Sequence, residues 1–213
     1  MYARAPGVML VVIVIAVIYL ILLHRVLKRL QMDQKTALVL VALLYVAGFA
    51  PSVPLGGGLA MNLGGMGIPL AICVYLILKA PTKKEKWRGP LTAVAVAALV
   101  WSLDRLLPIN PGSLGYELDP LYLPAAAAGL IAYLLGRSRR AAFIGGVGSI
   151  LFMDLSSWAE NIGRGFRDIP VVLGGGGIFD AALIAGAIGT LLAEVVGEVK
   201  ERLHGGPDEG ERH

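Results

Sequence analysis

Apolar residues gather into seven runs along the chain, at about 7–23, 36–49, 63–78, 90–107, 121–135, 141–158 and 173–196, with polar and charged residues between them. Several runs approach the ~20 residues that a helix needs to cross the hydrocarbon core of a bilayer. The pattern predicts an all-α fold, a polytopic transmembrane helical bundle of about seven spans. Two of the runs end in segments that cannot continue an ordinary helix. Run 36–49 covers about 21 Å by helical rise and then meets Pro51, Pro54 and Gly56-Gly57-Gly58. Run 141–158 gives way to Asn161-Ile162-Gly163-Arg164-Gly165 and Pro170. Irregular backbone at membrane depth is tolerated only where protein buries it or where it lines a wet cavity.

Composition agrees with this reading. The chain is 56% hydrophobic with a mean hydropathy of +0.72, above the roughly 45–50% apolar content of soluble domains. The spans consume the chain, so residues 1–203 read as a single integral membrane domain and 204–213 as a polar tail. The first run is too long for a signal-peptide core and is followed directly by basic residues, so it reads as a retained span. Cys73 is the single cysteine, which excludes an internal disulfide.

The net charge of +4 could suggest nucleic acid, but the placement of the cations does not. Lysines and arginines fall in alternate connections, with Arg25, Lys28, Arg29 and Lys35 in the first, Lys79, Lys83, Lys84, Lys86 and Arg88 in the third, and Arg137, Arg139 and Arg140 in the fifth. With Lys200, Arg202 and Arg212, fifteen of the nineteen basic residues lie on one side. Such a bias predicts the N-terminus outside and the C-terminus in the cytoplasm. Membrane lipids are the implied partners, with residues 83–88 a topology signal and, secondarily, an anionic-lipid patch. Oligomeric state is not legible.

Leu63-Gly64-Gly65-Met66-Gly67-Ile68 is echoed by Leu173-Gly174-Gly175-Gly176-Gly177-Ile178. Spans one to three and five to seven then have the same orientation, which suggests parallel repeats over 1–80 and 120–200. Glycine-interrupted segments at matching places in two halves point toward a transporter-type site. The glycines let a substrate or another backbone approach closely. They lack the Lys-Ser/Thr and βαβ context of a nucleotide loop.

Two acids stand inside apolar runs. Asp154 lies about 20 Å along the sixth and Asp180 about 10 Å along the seventh, by helical rise, so both fall at comparable depth. An acid in a membrane is a functional-site candidate by default. Two carboxyls sharing a dry site do not both ionise, which supplies an acid and a base together. Peptide-bond hydrolysis by an Asp154–Asp180 pair is the leading expectation, on a transmembrane peptide. The alternatives are a proton- or cation-coupled transporter, or a lipid-handling protein, using the same carboxylates, and a structural clasp between helices. Ser157 and Asn161 share the helix face of Asp154 at i+3 and i+7. With Asn62, Gly64, Gly65, Gly176 and Gly177 they are the expected substrate-lining residues. Asp104 and Arg105 read as an interfacial ion pair, and Glu194 and Glu198 as carboxylates that snorkel to water. His24, His204 and His213 have no ligand spacing, so neither a metal nor another cofactor is expected.

The block Gly174-Gly175-Gly176-Gly177-Ile178-Phe179-Asp180 resembles the Gly-Gly-x-Gly-x-Phe-Asp hallmark of a prokaryotic multi-pass membrane family defined as a domain of unknown function. Asp154 at the end of Gly148-Ser149-Ile150-Leu151-Phe152-Met153, and Asn62, Gly64, Gly65, Ile68 and Pro69, match further parts of that pattern. The resemblance covers about residues 50–196 and implies a fold and a site without an activity. The block is more weakly similar to the Gly-x-Gly-Asp intramembrane aspartyl proteases, with Ile178 and Phe179 standing between Gly177 and Asp180. That similarity implies an aspartyl pair in neighbouring spans.

Overall fold

The structure, a computed structural model, describes residues 5–106, 122–166 and 169–203. It is an all-α bundle, with seven α-helices among the described residues: α1 (Ala5–Arg29), α2 (Gln34–Gly48), α3 (Ile68–Leu78), α4 (Lys83–Leu106), α5 (Tyr122–Gly136), α6 (Arg139–Gly163) and α7 (Ala181–Leu203). Helices α1, α6 and α7 are long and apolar enough to cross a membrane. Helices α2 and α5, and α3 with the turn before it, are shorter apolar segments.

Local chemistry sets several helix ends. Asp33 caps α2, its carboxylate accepting from the Thr36 amide at 3.1 Å and from the Thr36 hydroxyl at 2.5 Å, which satisfies donors that the first helical turn leaves open. Ser138 does the same for α6 through the Ala141 amide at 3.2 Å. Helix α4 starts at Lys83, upstream of the expected 90, and carries Pro90 inside it. Here the cationic connection forms the first turns of the helix rather than a loop.

Helices α4, α5, α6 and α7 pack closely because small residues line their seams. The Cα of Gly146 meets the backbone at Ala185 and Gly186, where a Cβ would come within 2.6 Å of main-chain atoms. Gly189 sits against Ala142 and the Gly129 carbonyl, and Ala182, Ala185 and Gly186 are buried on the same helix. Such faces replace the hydrophobic drive, which lipid does not supply between helices, with van der Waals contact and close backbone approach. The N-terminal half of α1 makes a different use of its apolar residues. Met9 to Val14 are all exposed, whereas Leu23, Val26, Leu27 and Leu30 are buried against the bundle.

A small sheet, absent from the expected pattern, joins the two broken segments. Strand β1 (Val53–Gly56) pairs antiparallel with β2 (Leu59–Met61), which pairs in parallel with β3 (Val171–Leu173). The register sets Leu59 beside Val171 and Met61 beside Leu173. The seventh apolar run is therefore not one helix from 173. Its first residues form β3, a turn and a short 3-10 segment, Gly177–Phe179, and α7 starts only at Ala181. The tail 204–213 and the whole connection between α4 and α5, residues 107–121, lie outside the described residues, as do the side chains of Asp104 and Arg105.

Candidate functional site

The two glycine segments of the echo meet in space. After β2, Asn62 opens a π-helical turn, Leu63–Gly67, that leads into α3. After β3, Gly174 to Phe179 lead into α7. The Asn62 amide donates to the Leu173 carbonyl at 2.9 Å, extending the parallel pairing by one step. Gly65 then lies against the Gly174 carbonyl and Gly64 against the backbone of Gly48 at the end of α2, so closely that a Cβ at either position would overlap main-chain atoms. Gly177, at φ +60°, rests on the Gly48 carbonyl. Of the expected substrate-lining glycines, Gly64, Gly65 and Gly177 are buried against backbone, and Gly176 is exposed. At the first three positions the absence of a side chain admits another main chain.

Asn62 is 5% exposed and uses both ends of its amide. Its Oδ1 accepts from the Gly65 amide at 2.9 Å, and its Nδ2 donates to the Gly48 and Ala50 carbonyls at 3.2 Å each. It caps the turn before α3 and ties that turn to the Gly48 carbonyl at the end of α2, which no intrahelical donor reaches, and to the Ala50 carbonyl just beyond the helix.

Asp180 stands at the equivalent place before α7. Its Oδ1 accepts from the Ala182 amide at 2.9 Å and its Oδ2 from the Gly176 amide at 3.0 Å. The carboxylate is 8% exposed. It is thus an N-cap and a clamp on the glycine turn, not an acid about 10 Å along a helical span. A negative charge at this end also suits the helix dipole.

Asp154 is placed differently. It is half-buried on α6, with no side-chain hydrogen bond among the described residues, and close enough to Asp180 for the two charges to interact. Ser157, on the same face, is exposed and its hydroxyl donates back to the Met153 carbonyl at 3.0 Å. Asn161 is half-buried further along, and its own carbonyl accepts from the Phe166 amide at 2.8 Å. The structure brings Asp154, Asp180 and Gly176 into one neighbourhood, whereas Asn62, Gly64 and Gly65 form the packed floor behind it.

Two residues that the apolar pattern did not single out belong to the same neighbourhood. Tyr19 on α1 donates to the Ile178 carbonyl at 2.8 Å, and its ring lies 5.1 Å from that of Phe179. Its hydroxyl also lies within electrostatic reach of Asp180 and Tyr122. Trp158, one turn beyond Asp154, donates its indole N–H to the Gly57 carbonyl at 2.8 Å and so anchors the β1–β2 turn to α6. The only cue for either was a polar aromatic placed inside an apolar run.

At the other end of α7, Glu194 does not snorkel to water. It is 2% exposed and pairs with Arg25 at 3.0 Å and Arg29 at 2.8 Å, one helical turn apart on α1. Burial against α1 brings two guanidinium groups to it, which is what a carboxylate at that depth requires. Among the described residues no group of three or more metal-ligating side chains occurs.

Comparison with known proteins adds a relative and a family. The chain is 34% identical over 147 residues to a protein of Rhodobacter capsulatus named biotin transporter BioY, covering 62% of this chain and 73% of that protein. No solved structure matches the chain significantly. No similarity to aspartyl proteases accompanies these matches. Residues 14–192 match the family described as "Protein of unknown function (DUF1614)", and this integral membrane protein belongs to that family.

Proposed function

We propose that this protein captures a small organic solute and carries it across the membrane, with Asp154 as the acid that faces the solute. The observation that carries the reading is the contrast between the two aspartates. Asp180 has both oxygens engaged by backbone N–H groups. The oxygens of Asp154, half-buried beside it, accept no hydrogen bond from any described residue. A half-buried acceptor without donors favours a ligand that brings its own. The setting supports the same reading, because irregular backbone in a membrane protein is expected beside a site or a wet cavity.

The likeness to a biotin transporter supports a solute of that size. Biotin is the first compound to test, since the N–H groups of its urea ring suit an acceptor-only carboxylate. Coupling of solute movement to a proton or a cation through Asp154 belongs to the same reading. Hydrolysis of a membrane peptide is the less supported alternative. An aspartyl pair needs both carboxyls available to share a proton and a water, and Asp180 is committed to the start of α7.

The two halves, 1–80 and 120–200, are read as parallel repeats. Support comes from the parallel pairing of β2 with β3 and from a side-chain cap, Asn62 or Asp180, at the start of each following helical segment. Strand pairing sets Met61 beside Leu173, two residues from the Leu63–Leu173 match of the sequence echo. The cation bias supports an N-out, C-in orientation.

The test is uptake of labelled biotin, and of a panel of solutes of similar size, into vesicles carrying the purified protein. The expected result is uptake by the protein that falls at least tenfold in Asp154→Asn, a loss of about 1.4 kcal/mol or more. A transmembrane peptide included in the same vesicles should stay intact. Uptake equal to that of protein-free vesicles for every solute, or cleavage of the peptide, would overturn the proposal.

A further inference from the structure

At the end of the bundle where α7 finishes, a cavity of about 460 Å³ opens between the connections. It gathers Arg29 from α1, Lys79 from the end of α3, Arg88 from α4, and Arg139 and Arg140 from the start of α6, with Glu85 as the one acid on its wall. Two of these cations already have partners. Arg29 pairs with Glu194, and Arg140 donates to the Gln31 side chain and to the Lys79 carbonyl. Lys79, Arg88 and Arg139 form no ion pair or side-chain hydrogen bond among the described residues. Three uncommitted cations from three separate elements, drawn into one concavity against a single carboxylate, repel one another unless an anion joins them.

Arg88 also lines a second concavity of about 640 Å³, whose other walls are Lys83, Lys84, Trp87 and Leu91. Trp87 is 67% exposed and Leu91 62%. Indole rings settle at the level of lipid headgroups, and a cationic cavity that opens onto an exposed apolar strip suits a ligand with a charged head and an apolar body. We infer that these adjoining cavities form a binding site for a phosphate-bearing anion, and that its occupant is an anionic phospholipid. The phosphate lies among Lys79, Arg88 and Arg139, and the glycerol and first acyl carbons lie along Trp87 and Leu91. The site is separate from the Asp154 neighbourhood and does not depend on what that neighbourhood carries.

The experiment is native mass spectrometry of the full chain released from vesicles of phosphatidylglycerol mixed with phosphatidylcholine, repeated with added inorganic phosphate. Phosphatidylglycerol should be retained in preference to phosphatidylcholine. Each cation removed should weaken retention about fivefold, so Arg88→Ala with Arg139→Ala should weaken it about twenty-fivefold. Arg88→Lys with Arg139→Lys should restore most of it, which separates lost charge from lost fold. Trp87→Ala should weaken lipid retention alone. Capture of inorganic phosphate in place of lipid, lost in the double alanine variant, would support the anion site and overturn its lipid occupant. Equal retention of phosphatidylglycerol by the unaltered protein and the double alanine variant would overturn the site.

Discussion

Substitution of Asp180 separates a cap from a catalytic or solute-facing acid. In Asp180→Ala the Ala182 amide loses its acceptor, and the loss of a helix N-cap costs about 1 kcal/mol. The Gly176 amide loses its acceptor too, and because that glycine is exposed water can replace the acceptor, so the loss is one net hydrogen bond, about 0.5–1.5 kcal/mol. The two together come to roughly 1.5–2.5 kcal/mol, or a fall in Tm of roughly 3–10 °C for a chain of this length. Asp180→Asn keeps one oxygen for one of the two amides but turns an NH₂ group toward the other, so it should recover only part of the loss. Asp154→Asn removes no hydrogen bond that the described residues make and should change Tm by no more than about 2 °C. The assay is thermal unfolding of the purified variants in one detergent. The reasoning is refuted if Asp154→Asn destabilises as much as Asp180→Asn, or if Asp180→Ala leaves Tm where it was.

Gly65→Ala places a methyl group on the Gly174 carbonyl and should cost about 1–3 kcal/mol or more, read as a lower Tm or as loss of folded yield; Gly163→Ala, where a Cβ meets nothing, is its neutral control. Glu194 gives an asymmetric outcome. Arg25→Ala with Arg29→Ala strands a buried carboxylate and should cost about 3 kcal/mol, whereas Glu194→Ala leaves two half-exposed arginines that water can solvate and should cost less in the same unfolding assay. Asp33, in the connection between α1 and α2, is held below the usual carboxylate range by the hydrogen bond from the Thr36 hydroxyl and then by that from its amide. Because its folded value is depressed, the cap is fully present above the ordinary value of about 4 and is lost as pH falls through the folded value. Amide exchange at Thr36, corrected for its intrinsic rate, should therefore rise on acidification below about 4, and Asp33→Asn should abolish that dependence.

The helices were legible in number because apolar runs bounded by charge mark separate segments, but not in length, since α4 begins upstream of its run and α7 inside its own. Of the two expected breaks, the one at Pro51, Pro54 and Gly56-Gly57-Gly58 was legible because those residues cannot continue a helix, whereas α6 runs on through Asn161 and Ile162 and ends only at Gly163. The sheet was not legible, since three-residue strands such as Leu59–Met61 are too short to show alternation, and β2 and β3 pair across more than a hundred residues. The role of Asp180 had a local cue that the apolar run concealed. An aspartate directly before Ala181-Ala182-Leu183-Ile184 is a strong N-cap signal, but with the run taken to open at Leu173 it reads as an acid already inside a span. Asn62 and Asp180 looked unrelated for the same reason, because they sit on opposite sides of their glycine blocks in sequence and become equivalent only as caps. The pairing of Glu194 with Arg25 and Arg29 depends on α1 lying beside α7, which no run length predicts.

Equilibrium binding of labelled biotin and of solutes of similar size to the purified protein, compared between Asp154→Asn and Asp180→Asn at equal folded fraction, tests the central claim most directly. The account predicts that Asp154→Asn weakens binding of the recognised solute at least tenfold with Tm unchanged, and that Asp180→Asn lowers Tm while its folded fraction still binds. Undiminished binding by Asp154→Asn, together with loss of binding in a fully folded Asp180→Asn, would contradict it.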